Sequence, residues 1–348
     1  MPITTFILIS VAKTILALVV LLTSVAYLTW FERKLVGHIQ NRWGPSRVGP
    51  FGLLQPLADG LKFILKEDIT PPYVNKPLYL AAPVVALTLA LTSIAVIPFS
   101  PPVQIGGIRT ALQVTDVNIG LLIILGITSI GVYGVALAGW SSNSKYSLLG
   151  SLRASAQMVS YEVALGLSLV GVLILSGSFS LQDIVRSQDG LWWGWLPKWN
   201  FFKGQFVAFF IYLCAAFAET NRVPFDLPEA ETELVAGYHT EYSSMKFAMF
   251  FMAEYANMFT VACLASILFF GGWTGPVFGL PGDSWQAGLL HVFWFAVRIF
   301  FFLFLYVWIR GTLPRFRYDQ LMAFSWKVLL PLSVANIVVT SLIVAWRS

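Results

Sequence analysis

The stretch FVAFFIYLCAAFAETNRVPFDLPEAETE, Phe206 to Glu233, joins an uncharged apolar run to a segment holding five of the chain's 17 acidic residues. Phe206 to Ala218 contains no proline, no glycine and no charge, so it reads as a helix buried in an apolar medium. The carboxylates begin where such a helix would emerge. Whether the run is one core helix of a soluble domain or one span among many decides the fold.

The rest of the chain selects the second reading. Of 348 residues, 57% are hydrophobic and 11% charged, against about 25% charged in soluble domains, and the mean hydropathy is +0.75. Apolar segments recur at about 14–31, 77–98, 118–140, 155–176, 204–219, 246–270, 288–310 and 327–346. At 1.5 Å per residue these approach or exceed the roughly 30 Å of a bilayer's hydrocarbon. The expectation is an all-α polytopic membrane protein, with eight transmembrane helices in a single membrane domain over 1–348. Ser24-Val25-Ala26 has a small-x-small pattern, but only Lys13 precedes it as a cation and the apolar run continues to Phe31, so the first span reads as a retained helix.

Loop charges orient the spans, because Lys and Arg collect on the cytoplasmic side. Arg33, Lys34, Arg42, Arg47, Lys62, Lys66 and Lys76 follow span one, Lys145 and Arg153 follow span three, and Arg310, Arg315 and Arg317 follow span seven. Odd loops are then cytoplasmic and both termini face outward. The acidic loop, 219–245, is cytoplasmic by this count although it opposes the charge bias. In FGLLQPLADGLKFILKED, starting at Phe51, Leu54, Leu57, Ala58, Leu61, Ile64 and Leu65 recur at spacings of three and four, while Gln55, Asp59, Lys62 and Lys66 take the other face. That pattern predicts a cytoplasmic interfacial amphipathic helix over about 51–66, closed by Pro71-Pro72.

Several chemistries are excluded. Cys214 and Cys263 lie in separate apolar spans and cannot supply the roughly four ligands of an iron-sulfur or structural zinc site, so no metal is expected. His38, His239 and His291 are scattered, which argues against haem, and no glycine-rich dinucleotide or phosphate loop is present. If the chain serves redox chemistry, its electrons come from another chain.

Ionisable groups inside spans cost roughly 2.5 to 3.5 kcal/mol on insertion scales, so each calls for a reason. Glu162 enters span four by about 10 Å and Glu254 enters span six by about 12 Å, counted from the cytoplasmic side at the helical rise. Glu219 closes span five and Arg298 sits near the middle of span seven. Two readings fit: a proton relay on the cytoplasmic half of the bundle, or Glu–Arg pairing that holds helices together. Three acids against one base favour the relay. Glu32-Arg33-Lys34 reads equally well as interfacial anchoring or as function, and Lys13 reads as a snorkelling residue. Gly134 and Ala138 have the spacing of close helix packing.

The stretches ERKLVGHIQNRWGPSRVGPFGLLQPLADGLKF from Glu32, GWSSNSKYSLLGSLRASAQMVSYEV from Gly139, the acidic loop from Glu219 through Tyr255, and PRFRYDQLM from Pro314 together resemble the H-subunit family of bacterial NADH-quinone oxidoreductase (respiratory complex I) and its mitochondrial counterpart, NADH dehydrogenase subunit 1. The resemblance spans nearly the whole chain. It implies a core membrane subunit in the bacterial cell inner membrane (alternatively the mitochondrial inner membrane), forming the quinone chamber and the start of the proton path. It implies quinone as substrate, iron-sulfur clusters and FMN held only by partner subunits, and as partners the peripheral-arm quinone-site subunits, small membrane subunits and the lipid bilayer, with no nucleic acid. By residue matching, Arg33, Asp59, Lys62, Arg222 and Phe225 belong to the quinone chamber. Glu219, Glu162, Glu254, Arg298, Asp226, Glu229, Glu231 and Glu233 belong to the proton path, although the last three could also dock basic partners. Some relatives place a glutamate where this chain has Gly131, a gap that water or Tyr133 would have to bridge. Two alternatives stay open: the membrane subunit of an energy-converting hydrogenase, and a stand-alone ion-coupled transporter.

Overall fold

Without water at hand, backbone N–H and C=O groups must pair within their own segment, which makes a helix the form an apolar run adopts across a membrane. The computed structural model describes residues 3–105, 108–192, 194–226, 236–282 and 284–347. Eight helices among these residues are long and apolar enough to cross a membrane, and the chain is an all-α polytopic membrane protein.

The described helices are α1 (Ile3–Ile39), α2 (Gln55–Leu65), α3 (Lys76–Thr92), α4 (Gly120–Ser141), α5 (Lys145–Ser176), the short α6 (Leu181–Arg186), α7 (Phe206–Glu219), α8 (Ser244–Phe269), α9 (Trp285–Thr312), α10 (Tyr318–Phe324) and α11 (Leu330–Arg347). A π turn at Ser325–Leu329 joins the last two. Two small antiparallel pairs decorate connecting loops: β1 (Val103–Ile105) with β2 (Ile108–Thr110), where Gln104 faces Arg109, and β3 (Leu191–Trp192) with β4 (Leu196–Pro197). Local chemistry sets several ends. The Ser180 and Ser284 side chains accept the Asp183 and Ala287 amides and open α6 and α9. Gly177, with φ near +66°, closes α5 in the left-handed conformation.

The bundle is built around α5 and α8. Helix α5 packs against α4, α7 and α11, α3 lies between α4 and α8, and α1 closes the remaining side against α8 and α9. Gly134 allows the close approach of α4 to α3, because a Cβ there would meet the Ala86 methyl at 3.0 Å. Helix α8 is the most enclosed span, with Tyr255, Ala256, Met258 and the run Thr260 to Phe269 all buried. Helix α1 is the least enclosed, and buries one stripe, Leu21, Val25, Leu28 and Glu32.

Two observations adjust the expected boundaries. Helix α1 continues past Phe31 to Ile39, so Glu32, Arg33 and Lys34 are helical rather than terminal. Helix α2 stops at Leu65, ahead of Pro71-Pro72, where the Ser244 hydroxyl donates to the Phe63 and Lys66 carbonyls and takes up acceptors the helix end leaves open. Below that point the chain is fastened to the start of α8. Lys246 pairs with Asp68 at 3.0 Å and donates to Thr70, and Tyr79 stacks on Tyr242 with centroids 4.2 Å apart. Leu54, Leu57, Leu61, Ile64 and Leu65 of the α2 region stay exposed.

Candidate functional site

Asn221, which follows the end of α7, has a positive φ near 49°, a conformation Asn tolerates better than most residues. It turns the chain under the bundle. One side chain holds this turn: the Gln157 amide of α5 donates to the carbonyls of Ala218 and Phe225, both at 2.8 Å. Phe225 stacks on Phe316 and packs against Tyr161. The turn thereby carries Arg222 inward, where it is buried with 6% exposure.

Arg222 is the hub of a charge network. Its Nε lies 2.6 Å from Oε1 of Glu254 and its Nη1 lies 3.2 Å from Oε1 of Glu32, while the guanidinium plane covers the Tyr255 ring at 4.3 Å. Glu32 also accepts the Tyr255 hydroxyl at 2.7 Å and forms an ion pair with Arg310. Beside this cluster Asp226 pairs with Arg315 at 3.1 Å. Three carboxylates, Glu32, Glu254 and Asp226, thus face three guanidinium groups, Arg222, Arg310 and Arg315. Charges taken out of water persist only when paired and hydrogen-bonded in this way.

Glu219 and Glu162 stand outside that balance. Glu219, at the end of α7, shares the wall of one cavity with Thr128 of α4. Glu162 of α5 accepts from the Ser129 hydroxyl of α4. Neither has an ion-pair partner among the described residues. Ser129 thus serves Glu162, and adjacent Thr128 faces the cavity that Glu219 lines.

A cavity connects the two sets. It is lined by Glu219, Glu254, Thr128, Asn221, Asn257 and Gly131, among others, and leaves water about 40 Å³. A site of this size with several polar walls holds on the order of three waters. A Cβ placed on Gly131 would meet nothing within 4 Å, so the space next to Gly131 belongs to the cavity. Tyr133 points elsewhere and is exposed, with 65% of its surface accessible, so it does not span the gap.

A sequence model of the NADH dehydrogenase family matches residues 12–341. The chain belongs to this NADH dehydrogenase family. It is 71% identical to the second of the NADH-quinone oxidoreductase H subunits of Koribacter versatilis, over 98% of each chain. It is 54% identical to the NADH-quinone oxidoreductase H subunit of Thermomicrobium roseum, over 94% of this chain and 93% of that one. With the first of the NADH-quinone oxidoreductase H subunits of Solibacter usitatus it shares 51% identity over 99% of this chain and 98% of the other.

In this member of the NADH dehydrogenase family the sequence-predicted residues fall into separate places. Glu219, Glu162, Glu254, Asp226, Arg222 and Phe225 come together around the α7 turn. Arg33 and Asp59 pair at 2.6 Å between α1 and α2, with Arg33 exposed, and Lys62 lies exposed on α2 against the Phe63 ring. Glu229, Glu231 and Glu233 lie outside the described residues. Arg298 does not join the acids. Its guanidinium donates to the carbonyls of Gly272 and Thr274 and stacks over Trp199. It lies twelve residues from Arg310 along α9, or about 18 Å of helical rise. The cation that the acids do recruit is Arg222.

Glu32 is the residue that sequence reasoning left undecided. Its signal was present: it stands four residues after Leu28 and seven after Val25, so it continues the buried stripe of α1 rather than facing headgroups. Arg310, counted only as a loop charge, is the other omission.

Proposed function

We propose that the chain is the membrane subunit of a proton-pumping NADH-quinone oxidoreductase that forms part of the quinone chamber and begins the proton path. The observation that carries this is the juxtaposition of a charge-balanced network, Glu32–Arg222–Glu254 with Arg310, and a polar cavity lined by Glu219 and Glu254, with neither Glu219 nor Glu162 ion-paired among the described residues. The names of the relatives and the family match across 12–341 support the same reading.

Quinone approaches from the bilayer between α1, α2 and α8, with α2 lying in the interface and its exposed leucines in the lipid. It is reduced at a site shared with a peripheral-arm partner, and the iron-sulfur clusters and FMN are held by partner subunits only. The site residues on this chain are Arg33, Asp59, Lys62, Arg222 and Phe225. Two electrons reaching a quinone in a medium of low dielectric demand compensating protons, and the field of that charge acts strongly on nearby carboxylates. Glu219 and Glu162 can change charge state without breaking an ion pair. Glu254 can do so only by giving up its ion pair with Arg222, whose Nη1 stays on Glu32 beside Arg310. Arg222 is in this sense a bridge between Glu32 and Glu254 whose Glu254 arm loosens or tightens with the charge in the quinone chamber. Asp226, with Glu229, Glu231 and Glu233 beyond it, carries the disturbance from the chamber to the cavity. The loops at the α2 and Arg222 end face the bacterial cytoplasm, both termini face outward, and the host membrane is the cell inner membrane.

The test is the assembled complex carrying Glu219→Gln in membrane vesicles, with NADH oxidation by an artificial acceptor as the assembly control. Quinone reduction and proton uptake are expected to collapse while the control survives. If both persist, Glu219 is structural and the relay is wrong at its first step.

A further inference from the structure

Two apolar recesses on the lipid-facing side of α1 run into one another. The first is lined by Lys13, Leu16 and Val20 of α1 with Phe99, Gln113 and Val292, and encloses about 130 Å³. The second shares Val20, Phe99 and Val292, continues past Ser24 and Phe300 to Trp30 between α1 and α9, and encloses about 450 Å³. Together they make one groove with a cation at one end. Lys13 is half-buried and has neither an ion pair nor a hydrogen bond among the described residues. Among those residues, no acid lines its recess. The other polar group there is already engaged: the Gln113 amide donates to Val96 and its carbonyl accepts from Gln182.

Position along the helix says what meets this cation. Lys13 and Glu32 are nineteen residues apart on one continuous helix, about 29 Å of rise, which is close to the full hydrocarbon thickness of roughly 30 Å. With Glu32 at one boundary of the hydrocarbon, Lys13 stands at the headgroup level of the opposite leaflet. From Lys13 to Ser24 the groove runs about 16 Å, or half that thickness, the depth one acyl chain of that leaflet fills. The free recognition at the mouth is for negative charge, since the neighbouring amide is spent. We propose that the groove binds an anionic phospholipid, its phosphate on the Lys13 ammonium and one acyl chain laid between α1 and α9 as far as Ser24. The site is independent of the redox reading and lies on the opposite side of the membrane from the charge network.

The test uses vesicles containing the assembled complex and a phosphatidylglycerol whose acyl chain carries a diazirine, with crosslinks mapped by peptide mass spectrometry. Label is expected on α1 between Leu16 and Ser24 and on α9 near Val292 and Phe300. Unlabelled phosphatidylglycerol should compete it away, and phosphatidylcholine or inorganic phosphate should not. Lys13→Gln should reduce labelling about fivefold, the equivalent of roughly 1 kcal/mol for one lysine at a lipid surface. Val20→Trp fills the groove from a position that already faces lipid and should abolish labelling with the complex still assembled. Labelling indifferent to Lys13→Gln, equal competition by phosphatidylcholine, competition by inorganic phosphate alone, or no labelling in the assembled complex because a partner helix covers the groove would each overturn the proposal.

Discussion

Glu32→Gln keeps the size of the side chain and removes the charge that two arginines share. Removing one partner of a buried pair costs about 3 to 5 kcal/mol, because the other charge is left uncompensated. Three features of the structure reduce that figure here. Arg222 keeps Glu254 at 2.6 Å, the Arg310 side chain is 40% exposed and regains water, and the Tyr255 hydroxyl can still donate to the glutamine carbonyl. The loss expected for Glu32→Gln is therefore about 2 kcal/mol, and for Glu32→Ala, which also orphans the hydroxyl, about 4 kcal/mol. The comparison is Arg33→Gln, one residue along, which breaks an ion pair whose arginine is 54% exposed and should cost under about 1 kcal/mol. Denaturant unfolding of the full chain in detergent micelles, followed by tryptophan fluorescence, measures all three. If Glu32→Gln loses no more stability than Arg33→Gln, Glu32 is a surface anchor and the network does not hold the bundle together.

Gly131→Leu should plug the cavity without touching an acid, lowering coupled proton uptake at least tenfold in vesicles while artificial-acceptor activity persists; Gly131→Glu should be accommodated, since open space adjoins the position. Arg298→Gln should loosen the 271–274 loop and lower stability by about 2 kcal/mol, as expected when charge-assisted hydrogen bonds are lost, yet leave the ratio of protons to quinone unchanged; a change in that ratio would place Arg298 on the path after all. Burial holds the His239 imidazole down to about 4, below the ordinary value near 6.5. The unfolded chain therefore takes up its proton first as pH falls, so the stability His239 confers is complete above about pH 6.5 and is lost progressively toward pH 4, by at most about 3 kcal/mol. Hydrogen exchange across 236–246 should accelerate between pH 7 and pH 5 in the natural chain and not in His239→Phe.

The spans were legible because each is a long apolar run whose length the bilayer dictates. Individual partners were not. Arg298 and Arg222 carry the same charge, and nothing in one dimension says that the first bends toward the loop carbonyls of Gly272 and Thr274 while the second turns inward to Glu254. That choice depends on the turn at Asn221 and on Gln157, a side chain more than sixty positions away in sequence. The roles of Thr128 and Ser129 were likewise hidden, since serine and threonine in spans ordinarily bond back to their own helix. Thr128 does so, donating to Leu125, and still lines the cavity that holds Glu219. Glu32 was readable in principle from the periodicity of α1, once the helix was allowed to run past Phe31.

The three contacts that hold Glu32 have a consequence in time. Arg222, Tyr255 and Arg310 are all at least 190 residues later in the chain. At a synthesis rate of about 5 to 20 residues per second, Glu32 emerges on the order of 15 to 60 s before Arg310 does. For roughly the first two-thirds of that interval, until Arg222 emerges, α1 has none of these partners for its carboxylate, and the inner end of the helix stays at the water boundary rather than packed. Helix α1 is therefore made long before it is seated, and the sector of the bundle formed by α1, α8 and α9 closes only once α9 has been threaded.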